Sequence, residues 1–137
     1  MNSSVDSIHD TIFFTMERIN RLQLARWGEN IAKKFLEDHQ VIICQMNYRT
    51  KLGEVDIIGR ENEDLVFFEV KTRSSKQFGY PEEAVNQRKI EKIEHVANEY
   101  IDLHIQGDIN WRIDTIAIIR NPYNGNFEIE WFKNVGY

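Results

Sequence analysis

The stretch that decides the fold is Gly53-Glu54-Val55-Asp56-Ile57-Ile58-Gly59-Arg60-Glu61-Asn62-Glu63-Asp64-Leu65-Val66-Phe67-Phe68-Glu69-Val70-Lys71. Its two arms, residues 53–58 and 65–71, are short and rich in β-branched and aromatic side chains. A polar run with Gly59, Asn62 and Asp64 separates them. The pattern predicts an antiparallel hairpin. On a two-residue period Glu54, Asp56 and Ile58 share one face of the first arm, and Phe67, Glu69 and Lys71 share one face of the second. A turn centred near Asn62 sets Asp56 opposite Glu69 and Glu54 opposite Lys71. Opposite Cβ atoms lie roughly 4.5–5.5 Å apart, and two carboxylates at that spacing repel. A one-residue slip would send the two acids to different faces. The paired register therefore makes sense when a cation lies between them. Mg²⁺ prefers oxygen ligands, few carboxylates and several retained waters. Asp56, Glu69 and the Val70 carbonyl would supply such a half-shell, with Lys71 beside it to hold a phosphate or position a water. The plain alternative is a solvated face carrying a surface Glu–Lys pair.

Working outward, 137 residues suit a single domain. A hydrophobic content of 42% is enough for a packed core. The single cysteine, Cys44, excludes an internal disulfide and a Cys-rich zinc site, and its apolar neighbours predict a core position. No apolar run approaches the roughly 20 residues that cross a bilayer, and residues 12–14 lack the basic lead-in of a signal segment. The expected location is cytoplasmic, with no membrane partner. A net charge of −5 argues against coating nucleic acid by bulk electrostatics. The charge is uneven, however. Residues 71–92 carry six Lys/Arg against three Asp/Glu, whereas residues 94–137 carry three against seven. A polyanion would meet the first segment locally.

Residues 1–20 read as an N-terminal extension, either mobile or a short helix. Residues 22–39 have a helical period, with Leu24, Ala25, Gly28, Ile31, Ala32, Phe35 and Leu36 as the apolar stripe. Glu29 borders that stripe and can point back at the end of a sheet. Gly28 weakens a helix by about 1 kcal/mol against Ala, which fits a position where another group comes close. A strand starts at Val41 and a turn follows near Leu52. Arg49 and Lys51 are candidate phosphate contacts there. Beyond Lys71, the loop 72–81 alternates Arg73 and Lys76 with Phe78 and Tyr80, a composition that can grip a nucleic-acid backbone. A second helix opens at Pro81 or Asn86, with Ile90, Ile93, Val96 and Ala97 as its buried stripe. Gln87 and Lys89 at its start are candidate phosphate or water-positioning groups. Two strands close the chain, at 111–119 and 126–132. On the first, Arg112 and Asp114 take one face and Trp111, Ile113 and Thr115 the other. Residues 121–125 form a turn between the two.

Helix, three strands, helix and two strands thus succeed one another. With Gly28-Glu29, the 53–58 block, Phe68-Glu69-Val70-Lys71-Thr72-Arg73, Phe78-Gly79 with Pro81, Lys89, and Arg112-Ile113-Asp114, the chain resembles the PD-(D/E)XK nuclease superfamily. It is most similar to the YraN-type family, itself similar to Holliday-junction resolvases. The resemblance runs from about residue 23 to 136, with Val55 standing where the superfamily name has proline. It implies an α/β fold with a restriction-endonuclease-like mixed sheet of five strands flanked by helices, ordered α-β-β-β-α-β-β, over residues 21–137. It also implies Mg²⁺- or Mn²⁺-dependent phosphodiester cleavage. Glu29, Asp56 and Glu69 are then the acidic cluster and Lys71 the catalytic lysine; the active-site pattern carries over but a substrate does not, and DNA, branched DNA included, is the expected one. Resolvase-like chains work as two-fold dimers, so the resemblance implies a homodimer. Two other readings stay open: a nucleic-acid-binding module with little or no cleavage, and a purely structural or protein-interaction domain.

Overall fold

A computed structural model describes residues 3–74 and 87–136. The element order is α1 (Ser3–Asp38), β1 (Val41–Thr50), β2 (Gly53–Glu61), β3 (Asp64–Arg73), α2 (Gln87–His104), β4 (Trp111–Arg120) and β5 (Phe127–Phe132). The helix expected over residues 22–39 is the C-terminal part of α1. Nothing in the sequence from Ser3 to Trp27 stops a helix, since no Gly or Pro occurs before Gly28. The expected α2 start at Pro81 or Asn86 lies outside the described residues.

The strands form one sheet in the order β1-β2-β3-β4-β5, antiparallel except for the parallel β3–β4 pair. Parallel neighbours need a crossover, and α2 supplies it. The fold is therefore α/β with the expected order. Each sheet face carries its own core. On one, Val55, Ile58, Leu65, Phe67 and Ile113 pack under Ile90, Ile93, Val96 and Ala97 of α2. On the other, Ile57, Val66, Phe68, Ile116 and Ile118 pack under Ala32 and Leu36 of α1. α2 reads as amphipathic because it covers one sheet face and leaves its other side to solvent, whereas α1 taken over its whole length does not. Among the described residues no helix is long and apolar enough to cross a membrane.

Cys44 departs from the expected core position, because it is exposed. The β1–β2 register shifts between Ile43 and Gln45, and this bulge takes Cys44 out of the alternation. Ala25, expected in the buried stripe of α1, is also exposed; the stripe in contact with the sheet runs Gly28, Ala32, Leu36.

Away from the α2 face, Arg112 and Asp114 form the centre of a polar network. Asp114 is fully buried. It accepts from Arg112 Nε at 3.0 Å, Trp131 Nε1 at 2.9 Å and the Asn134 N–H at 3.0 Å. Arg112 also donates to Glu61 at 2.6 Å and Asp64 at 2.8 Å, at the hairpin end of β2 and β3. The Arg112 guanidinium thus spreads its donors over three carboxylates, Nε to Asp114, Nη1 to Asp64 and Nη2 to Glu61. On the same face, α1 comes so close to β3 that a Cβ on Gly28 would lie 1.9 Å from Thr72 Oγ1 and 3.0 Å from Thr72 Cβ.

Two stability effects follow. Arg112→Met leaves Asp114 buried without its cation and lowers unfolding free energy by about 3–5 kcal/mol in urea titrations; a loss indistinguishable from that of a surface Arg→Met control would contradict the network. Gly28→Ala should destabilise by about 1–3 kcal/mol despite the better helix propensity of Ala, and Thr72→Ala in the same chain should recover part of the loss. A neutral Gly28→Ala would show that the two backbones are not in close approach.

Candidate active site

The hairpin turns at Asn62 and Glu63, and Asn62 adopts φ 55°, a left-handed conformation that Asn tolerates. The turn fixes the register Glu61↔Asp64, Arg60↔Leu65, Gly59↔Val66, Ile58↔Phe67 and Ile57↔Phe68. This is the expected register, and one more step brings Asp56 beside Glu69. Backbone pairing stops there. Below that point β2 keeps its partners on β1 as far as Thr50↔Gly53, and β3 keeps its partners on β4 as far as Arg73↔Ile119. The sheet therefore forks between β2 and β3. Asp56 bridges the opening, its Oδ2 accepting the Val70 N–H at 2.8 Å. Because a strand residue presents its N–H and C=O to the same neighbour, the Val70 carbonyl is directed to the same gap.

The fork corrects one expectation. Glu54 is not opposite Lys71, because the strands have already parted. Glu54 instead pairs with Arg49 at 2.9 Å, and Lys71 Nζ turns to Glu69 Oε1 at 3.1 Å. Lys89 of α2 also reaches Glu69 Oε1. Glu69 is thus a buried carboxylate held between two lysine amino groups.

A cleft of about 330 Å³ opens at the fork, lined on its strand side by Glu54, Asp56, Glu69, Val70, Lys71, Thr72 and Arg73 and on its α1 side by Arg21, Leu24, Ala25 and Glu29. Glu29 is hydrogen-bonded to Asn47, a residue at φ 52° on β1 whose part in the site the sequence reading missed. Asn is among the few residues that tolerate such a backbone, and that is the only local sign of it. Of the remaining candidates, Lys51 is exposed in the β1–β2 turn and Gln87 is exposed at the start of α2. Arg73 lies on the cleft wall, donating to the Thr72 carbonyl at 3.0 Å. Lys76 lies outside the described residues, as do Phe78, Tyr80 and Pro81. Lys89, expected as a phosphate or water-positioning group, lies against Glu69 at the fork. On the strand next to Glu69, its neighbour Thr115 is fully buried and its Oγ1 has no hydrogen-bond partner.

The electrostatics bear on whether a cation fits. Burial, the Glu69 carboxylate and Glu29 push Asp56 up to about 7, against the Val70 hydrogen bond and Lys89. Burial also raises Glu29, with Glu54 and Glu69 adding to it and Asn47 opposing. Burial and a hydrogen bond from Lys89 lower Lys71, against the attraction of Glu69. Burial works against the Lys89 charge too, but its bonds to Glu69 and Lys71 outweigh that and raise it. Among the described residues no three Asp, Glu, His or Cys side chains gather closely enough to hold a metal ion. The donor set is two carboxylates and a carbonyl, with Glu29 on the wall. That composition fits a hard divalent ion that keeps several waters, and does not fit zinc. An acid driven up to about 7 by burial and a neighbouring carboxylate is also a group that a divalent ion would return to its charged form.

Asp56 fixes the sign of a pH effect on the ion-free protein. Its folded value is raised above the unfolded value of about 4. Between pH 4 and 7 the unfolded chain loses a proton that the folded chain retains, so stability falls as pH rises through that window and levels off above it. In EDTA, Asp56→Asn, which can still accept from Val70, should therefore melt several degrees above wild type at pH 8 and close to it at pH 4. An equal difference at both pH values would show that Asp56 is not strained by its surroundings.

Residues 28–118 match the family described as "Uncharacterised protein family UPF0102". A UPF0102 protein of Caldicellulosiruptor bescii is 40% identical over 117 residues, covering 85% of this chain and 98% of that relative. One of Clostridium botulinum is 40% identical over 112 residues, with 81% and 91% covered. A third, of Clostridium beijerinckii, is 38% identical over 119 residues, with 87% and 96% covered. The match spans Glu29, the fork and Lys89 alike, and the chain belongs to the UPF0102 family, the YraN family of the PD-(D/E)XK-like superfamily.

Proposed function

We propose that this chain is a divalent-metal-dependent endonuclease that hydrolyses phosphodiester bonds in DNA, branched DNA included. The observation that carries the reading is the fork, where Asp56 takes the Val70 N–H and, with Glu69 and Lys71, lines an open cleft. Asp56, Glu69 and the Val70 carbonyl would hold a Mg²⁺ or Mn²⁺ ion, which would supply Lewis-acid polarisation of a phosphate oxygen and lower the pKa of a bound water. The chain's own residues do the rest. Lys71 Nζ stabilises charge developing on the phosphate and, with its proton held less tightly than usual, moves a proton to or from the attacking water. Lys89 keeps a positive charge beside Glu69 throughout. Glu29 orients water from the α1 wall.

One observation favours a second reading. Glu69 already has two lysine partners, so an entering ion must displace or share them. A module that binds nucleic acid without cutting it would keep those pairs.

Incubation with plasmid and branched DNA, in Mn²⁺ or in EDTA, separates the readings. Cleavage should need the ion, fall by about 10²–10³-fold in Lys71→Met and vanish in Glu69→Gln. Mn²⁺ at a hundred times its dissociation constant should also stabilise wild type by about 2.7 kcal/mol, with no such gain in Glu69→Gln. Activity that survives both substitutions would place the chemistry elsewhere, and binding without cleavage would select the second reading.

A further inference from the structure

We infer that a trough on the α1 face, between Arg21 and Trp27 of α1 and Arg120 at the end of β4, carries one nucleic-acid strand away from the fork through contacts to its phosphodiester backbone. The inference rests on the proposed nuclease reading for where the strand begins, and on separate residues for where it goes.

The trough is lined by Arg21, Leu24, Trp27, Ser74 and Arg120, with Asn20 and Gln23 at its rim. Arg21 and Leu24 also line the cleft at the fork, so the two hollows adjoin along these two side chains. Arg73 lies on the cleft wall along this route. Arg120 and Arg21 are exposed, and among the described residues neither is paired with a carboxylate. Arg120 does not wave freely, however. Its guanidinium lies 5.6 Å from the Trp27 ring centroid, and Trp27 is held edge-on by Phe127 at 5.3 Å. A cation stacked on a fixed indole is pre-organised for a ligand and keeps its donors outward.

The spacing of charge types decides the occupant. In a chain of net charge −5, acids and bases mix over most of the surface, and Arg49, Arg112 and Lys133 are all paired with carboxylates. The trough instead offers guanidiniums, polar amide and hydroxyl groups and an apolar floor. Planar guanidiniums suit phosphate oxygens in two-point contacts. An acidic peptide would satisfy the charge too, but the trough adjoins the proposed phosphodiester site through Arg21 and Leu24, which favours a strand that passes both.

The test is fluorescence anisotropy of a labelled oligonucleotide with the full chain in EDTA, so that no cleavage intervenes. Arg21→Gln with Arg120→Gln should weaken binding at least about tenfold and reduce the slope of log affinity against log salt by about 1.4–1.8, as for two lost phosphate contacts. Lys33→Gln with Lys34→Gln, the same charge change elsewhere on α1, should leave both nearly unchanged. Melting curves confirm that both variants fold. Equal losses in the two pairs, no loss in the first, or no binding by wild type would overturn the trough. Displacement of the oligonucleotide by poly-glutamate as readily as by unlabelled DNA would overturn the nucleic-acid assignment. Loss of binding in the first pair, with no metal-dependent cleavage by wild type, would keep the trough and remove the nuclease reading. Cleavage and binding unaltered by that pair would do the reverse.

Discussion

One hydrogen bond governs the arrangement of this molecule: the Asp56 carboxylate accepts the Val70 N–H at 2.8 Å where a backbone carbonyl of β2 would otherwise stand. A buried backbone donor left unpaired costs about 1–3 kcal/mol. By satisfying it with a side chain, the protein opens its sheet between two central strands without that penalty. The opening matters because an unbroken sheet keeps its two faces apart. Through the fork, Glu29 from the α1 side and Lys89 from the α2 side both act on Asp56. Neither helix alone could supply that mixture of charges to one acid.

Opening a sheet at its middle demands that the remainder resist further splaying. On the α2 side a continuous apolar core holds β2, β3 and β4 under one helix. On the other, α1 closes to van der Waals contact at Gly28 and Thr72, one residue beyond Lys71, and so pins β3 just where it leaves β2. At the hairpin end Arg112 joins Glu61 and Asp64, the last pair of the β2–β3 ladder, to Asp114 on β4. Pairs of this kind add little net stability over apolar packing, but they punish any other register severely. The ladder is tied at one end and released at the other.

Much of this could be read from residues alone, for a definite reason. A two-residue turn at Asn62 and Glu63 fixes the sum of paired residue numbers, and the two-residue period then fixes the faces. Asp56 beside Glu69 and Lys71 on the Glu69 face follow from those two rules. The glycine at position 28 signalled a close approach, although not its partner Thr72. The release of the ladder was not legible, because a side chain replacing a backbone acceptor leaves the alternation of residues unchanged. For that reason Glu54 was matched with Lys71 rather than with Arg49. The contact of Lys89 with Glu69 was not legible either, because a residue in the first turn of a helix looks alike whether it faces a ligand or a neighbouring strand. Cys44 misled in the same way: an apolar run predicts a strand, but a bulge inside it is a matter of pairing with β2.

The charges at the fork have a further consequence. Glu69 is neutralised by two lysines, and Asp56, with Glu29 nearby, is relieved mainly by keeping its own proton near neutral pH. The ion-free site therefore stores its compensation in mobile forms, a proton on Asp56 and lysine tips on long stems. Both sit at side-chain ends, away from the backbone. A site closed by a third carboxylate would bind an ion more tightly but would leave less room for water and phosphate in its shell. Were the proposed divalent ion to bind, two carboxylates and a carbonyl flanked by replaceable cations would favour loose binding shared with a substrate over a fixed structural role.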